Sequence, residues 1–108
     1  MTALEVTREL IAAVREKVQL IDLVAETTQL RRSGKYYRGI CPFCSKHPTP
    51  HSGFALRHKH QVFRCSDCKA GGDSFSFIEL TKNLDFIEAT KFLARKYNLQ
   101  TGAEEQVD

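Results

Sequence analysis

Cys41-Pro42-Phe43-Cys44 and Cys65-Ser66-Asp67-Cys68, with 20 residues between them, are the two stretches that decide how the middle of this chain folds. A two-residue spacer lets one tight turn aim two thiolates at a single point. Two such turns brought together supply four ligands, and Zn–S bonds of about 2.3 Å then close a tetrahedron with no open position. The spacing therefore predicts one structural zinc ion per chain on Cys41, Cys44, Cys65 and Cys68. In small finger peptides such binding is worth about 10–16 kcal/mol and is coupled to folding. A thioredoxin-like redox pair needs a single Cys-x-x-Cys on a strand–helix–strand unit, and this segment reads as hairpins. An iron–sulfur site is the weaker reading for the same two-hairpin context. His47 completes Cys44-x-x-His47, but it and His51 are expected to be exposed loop residues rather than ligands.

The flanking patterns place the knuckles on hairpins. Ser33-Gly34-Lys35 is a turn signal between a strand over 27–30 and a returning strand over 36–40. Two prolines and a glycine in 45–53 predict a loop. Residues 54–57 and 61–64 read as a second hairpin turning at 58–60, and Ala70-Gly71-Gly72 as a further turn. Apolar residues at helical spacing predict helices over about 5–17 and from about 19–22 to 26. Asp73 and Asp85 are N-cap candidates for a helix to about Leu80 and another over 86–97, the latter carrying Phe86, Ala89, Leu93 and Tyr97 on one face.

Charge is divided unevenly along the 108 residues. Residues 1–30 carry a net charge of −2, residues 31–69 a net charge of +8 with all four histidines, and residues 70–108 a net charge of −3. So local an excess predicts an anionic partner for the middle segment. The length suits one compact domain and excludes a two-domain enzyme with a cofactor cleft. No apolar run approaches the roughly 20 residues a membrane span needs. The N-terminus lacks a secretory pattern, so a cytoplasmic protein with reduced cysteines is expected, without a membrane partner.

The ordered set Ile21-Asp22-Leu23-Val24, then 30–43 (Leu-Arg-Arg-Ser-Gly-Lys-Tyr-Tyr-Arg-Gly-Ile-Cys-Pro-Phe), then 63–73 (Phe-Arg-Cys-Ser-Asp-Cys-Lys-Ala-Gly-Gly-Asp), Phe77 and Asp85-Phe86-Ile87-Glu88-Ala89 resembles the N-terminal zinc-binding domain of bacterial-type DNA primases over about 18–99. Two departures stand out. The family's usual second ligand is histidine where Cys44 stands here, and the loop between the ligand pairs is longer. The resemblance implies an α+β fold: a zinc ribbon with a small antiparallel sheet flanked by short α-helices. It implies a domain over 1–100, with ribbon core at about 28–73 and residues 101–108 as a tail or linker. It also implies single-stranded DNA template as partner, support of start-site selection for primer synthesis, a primase catalytic domain in cis or in trans, and contact with a replicative helicase.

Single-stranded DNA is held by basic grooves with aromatic platforms. The residues expected to touch it are Lys35, Tyr37, Arg38, Lys46, Arg57, Arg64 and Lys69, while Phe43, Phe63, Phe75, Phe77, Phe86 and Phe92 are expected in the core. Gly71-Gly72-Asp73 reads as a turn and helix cap rather than a phosphate cradle. No catalytic residues are expected. The competing function is a zinc-ribbon interaction module that docks onto a replication or transcription protein.

Overall fold

Each helix starts where a side chain can satisfy its first amides. In the computed structural model, which describes residues 5–43 and 53–99, Thr7 caps α1 (Arg8–Lys17) by accepting from the Leu10 amide at 3.1 Å. Asp73 caps α3 (Ser74–Lys82) and Asp85 caps α4 (Phe86–Lys96), each accepting from the amide three residues on. Both aspartates were legible as caps, since a short carboxylate at this position reaches an otherwise unpaired N–H. α3 runs two residues past its expected end and stops at Asn83, whose φ of 57° is left-handed.

α2 (Leu20–Ala25) is capped from a distance. Its own N-cap, Gln19, makes no side-chain cap bond, and the Leu20 amide instead donates to Oε1 of Gln61 at 2.8 Å. Gln61 sits in the turn of the second hairpin with φ at 55°, and its Nε2 donates to the His58 carbonyl at 2.7 Å. One side chain thus fastens the sheet to the helices.

Five antiparallel strands follow in sequence order: β1 (Arg31–Ser33), β2 (Tyr36–Arg38), β3 (Phe54–Arg57), β4 (Val62–Cys65) and β5 (Gly71–Gly72), with a 3-10 turn at His58–His60. Two expectations need correction. The strand expected over 27–30 is absent, because the Thr27 and Thr28 amides both donate to the Val24 carbonyl and close off α2. The first strand begins instead at Arg31. Gly71 and Gly72, expected as a turn, pair with Arg64 and Phe63. Gly72 has φ at 143°, and a β-carbon there would collide with Ser76, so only glycine can carry this strand into α3.

Alternation sorts the sheet into two faces. Phe54, Leu56, Phe63 and Cys65 point into a core shared with Leu10, Val14, Leu20, Val24, Phe77 and Leu93. Phe63, Phe75 and Phe77 are buried as expected, and Phe43 and Phe92 pack partly against the core. Phe86 is the exception. It stays 36% exposed, although its ring stacks on Phe75 at 5.0 Å, and α4 buries Ala89, Thr90, Leu93 and Ala94 instead. Near the end of α4, Lys96 pairs with Glu26 at 2.9 Å.

Gln61→Ala removes the cap of α2 and leaves the Leu20 amide unpaired. Urea unfolding should show a loss of about 1–2 kcal/mol with no change in bound metal.

Candidate metal centre and the basic face beside it

The exits of β2 and β4 and the entry of β3 all lie at one end of the sheet, and there the cysteines meet. The sulfurs of Cys41, Cys65 and Cys68 lie within 4.8 Å of one another. Cys41 and Cys65 are buried and Cys68 is exposed. The Cys41 and Cys68 Sγ atoms are 3.8 Å apart. Two thiolates on one tetrahedral zinc at about 2.3 Å stand about 3.8 Å from each other, so this pair already has the spacing the ion needs.

Backbone hydrogen bonds hold that spacing. The Lys69 amide donates to the Cys65 carbonyl and the Cys65 amide to the Ala70 carbonyl, each at 2.8 Å, which folds 65–70 into a tight knuckle. The Phe43 amide donates to the Cys41 sulfur at 3.3 Å, and such a bond favours the thiolate. Behind the sulfurs, the Phe43 ring lies 5.9 Å from Phe63 and 5.7 Å from Phe77, so aromatic packing fixes the first knuckle against the core. Thr28 Oγ1 donates to the Ile40 carbonyl at 2.8 Å and anchors the approach to Cys41. Gly53 accepts from the Ser66 amide and donates to Asp67 Oδ2, and a β-carbon at Gly53 would overlap Ser66. Cys44, Lys46, His47 and His51 lie outside the described residues.

The solvent face of the sheet is cationic. Register puts Arg31 opposite Arg38, Ala55 opposite both Arg38 and Arg64, and Arg57 opposite Val62. Arg31, Arg38, Arg57 and Arg64 therefore share one face with Tyr36. The Arg38 guanidinium lies 5.4 Å and that of Arg57 5.8 Å from the centre of the Tyr36 ring. No acidic residue occurs between Glu26 and Asp67 to neutralise them. Of the expected DNA contacts, Arg38, Arg57 and Arg64 come together on this face. Lys69 is exposed just after the second knuckle. Tyr37 points to the opposite face of β2, where Arg32 covers its ring at 5.8 Å, and Lys35 sits in the β1–β2 turn. Arg31 was not in the expected set. The alternation that pairs Tyr36 with Arg38 was readable, whereas the misplaced first strand hid Arg31.

A family model described as the CHC2 zinc finger matches residues 6–108. The chain belongs to that family. It is 33% identical over 99 residues to a DNA primase of Clostridium acetobutylicum, covering 92% of this chain and 16% of that protein. It is 37% identical over 91 residues to a DNA primase of Geobacillus stearothermophilus, covering 84% of this chain and 15% of that one. Against the Aquifex aeolicus primase structure, described as zinc-binding and RNA polymerase domains, the TM-score is 0.75 at 30% identity, covering 89% of this chain and 23% of that chain. This chain thus spans about a sixth of the length of the curated relatives it matches. The α+β zinc-ribbon fold expected from the sequence is the fold observed, and the primase zinc-binding domain is its structural neighbour. The metal of this zinc-finger family is zinc, and the three-thiol cluster fits it. Among the described residues no helix is long and apolar enough to cross a membrane.

In this zinc finger Lys69 follows Cys68 with φ at 67°. Left-handed backbone costs a residue with a β-carbon about 1–2 kcal/mol, of which glycine's extra chain entropy would return about half. Lys69→Gly should raise stability by up to about 1 kcal/mol in urea unfolding. Cys65→Ala removes a buried sulfur of the cluster. Metal analysis should show loss of zinc, and limited proteolysis should open residues 36–72, whereas His47→Ala should leave the zinc content unchanged.

Proposed function

We propose that this chain is the template-recognition domain of a DNA primase. It holds single-stranded DNA across the exposed face of its sheet and supports start-site selection for RNA primer synthesis. The supporting observation is the face itself: Arg31, Arg38, Arg57 and Arg64 around the Tyr36 ring, with no acid in the surrounding sequence. Arg31 and Arg38 stand directly opposite each other, an arrangement that destabilises a free sheet and that a phosphate backbone would relieve. Guanidinium groups packed over the Tyr36 ring suit a strand whose phosphates they neutralise while a base stacks on the cluster.

In this reading Cys44 is the fourth zinc ligand, closing the site so that the metal is purely structural. Lys46 and Lys69 extend the cationic track at the metal end, and Lys35 does so at the turn end. The domain comprises about residues 1–100, with 101–108 leading on from it. The catalytic work belongs to a primase polymerase domain acting in cis or in trans, and a replicative helicase is a further partner. The second reading, docking onto a replication or transcription protein, draws on Leu80, Phe86 and Ile87, which are exposed on α3 and α4.

Salt separates the two. Binding of labelled single-stranded DNA should weaken with salt, with log–log slope about −0.7 for each phosphate neutralised, or about −2 to −3.5 for three to five contacts. Arg38→Ala should weaken binding and flatten that slope by about 0.7, with zinc content unchanged. Tyr36→Ala should cost about 1–3 kcal/mol with little change in slope. Affinity indifferent to salt, or both variants silent, would hand the function to the protein-docking reading.

A further inference from the structure

The basic face continues past the end of its ladder. Between the Arg31–Arg38 pair and Cys41 lies a cleft of about 420 Å³, with residues 28–30 as one wall, 39–40 as the other, and both arginines at its rim. That volume falls within the range of small-ligand sites, about 300–1,000 Å³. Gln29 stands two residues before Arg31 and Ile40 two after Arg38, the spacing at which extended residues share a face.

The cleft is pre-formed. Thr28 Oγ1 donates to the Ile40 carbonyl at 2.8 Å and pins the two walls together. The walls also meet through their backbones, since a β-carbon at Gly39 would press on the Gln29 carbonyl oxygen. Ile40 immediately precedes Cys41, a buried sulfur of the thiol cluster, so whatever fixes the cluster fixes this wall.

Its chemistry differs from that of the open face. Leu30 and Ile40 supply apolar surface, and Ile40 is left 38% exposed. The Thr28 hydroxyl proton is committed to Ile40. The Gln29 carboxamide has no hydrogen-bond partner among the described residues, and it presents a donor beside an acceptor in one plane. A bare anion would need neither the apolar walls nor the carboxamide. A nucleotide uses all three parts: an apolar slot for the base, a planar donor–acceptor pair for its edge, and cations for the flanking phosphates.

We propose that this cleft takes one unstacked base of the template strand and that Gln29 is the residue that reads it, with adenine preferred. The inference rests on the strand-binding reading and deepens it: the arginines hold the backbone without regard to sequence, and the carboxamide supplies the discrimination. Adenine presents N6–H beside N7, which a carboxamide meets with two hydrogen bonds. Guanine presents two acceptors on that edge, and a pyrimidine has no N7 to offer.

The test is a fluorescence-anisotropy titration of the zinc-loaded 108-residue chain with short oligothymidylates that carry one central substitution, at fixed salt. A central adenine should tighten binding at least about fivefold over thymine, guanine or cytosine, the lower end of what one bidentate contact discriminates. A central 7-deazaadenine, which lacks N7, should lose that advantage. Gln29→Ala should level the strands to within about twofold of one another and keep its zinc. Arg38→Ala should weaken every strand alike and keep the preference for adenine. Equal affinity of the unmodified chain for all four strands would overturn the proposal, while salt-dependent binding of those strands would leave the strand reading standing. So would an adenine preference that survives Gln29→Ala or the loss of N7, or a preference for guanine. Failure to bind any strand would remove the strand reading and this inference with it.

Discussion

Convergence of the Cys41, Cys65 and Cys68 sulfurs within 4.8 Å is the constraint on which the ribbon depends. Its strands are two to four residues long, too short for their ladders alone to hold a sheet in water. A metal that draws the exit of β2 and the end of β4 to one point supplies what the ladders lack. Zinc binding of about 10–16 kcal/mol is comparable with the entire stability of an ordinary domain, about 5–15 kcal/mol. At the far end the same task falls to Gln61, whose amide group ties the second hairpin to the start of α2. The sheet is fixed at one end by a metal and at the other by a hydrogen-bonded side chain.

That fixing lets the sheet tolerate its own charge. Arg31 faces Arg38 across β1 and β2, and the chain from 27 to 66 contains no acid. Self-repulsion of this kind opposes a compact state. The metal end offsets it: Arg38 lies three residues before one ligand and Arg64 immediately before another, so the basic face takes its geometry from the same atoms that stabilise it. The positive charge of the middle segment is then divided between opposite sides of the first hairpin, with Arg31 and Arg38 on one and Arg32 on the other.

How far the sequence could be read differs from element to element. Asp73 and Asp85 announced their helices because capping is a local event between a carboxylate and an amide three residues away. The second hairpin was legible from its alternation, with Phe54, Leu56, Phe63 and Cys65 inward. Thr27 and Thr28 misled, since β-branched residues favour strands in general, but here their amides finish α2. Gly71 and Gly72 look like a turn in isolation and become a strand only because the exposed edge of β4 is there to pair with.

The sequence by itself determined the metal and the ribbon, because two Cys-x-x-Cys spacers encode where the thiolates can go whatever surrounds them. It also determined that the middle of the chain is cationic. Which cations act together was decided only by the tertiary structure. Tyr36 and Tyr37 are neighbours in sequence with the same chemistry, yet the pleat places one among arginines on an open face and the other under Arg32 on the reverse side. The β1–β2 hairpin pairs Tyr37 with Arg32 only five residues away, but which face of that hairpin turns to the core rests on partners 17 or more residues away, such as Leu56 opposite Tyr37, which no local pattern specifies.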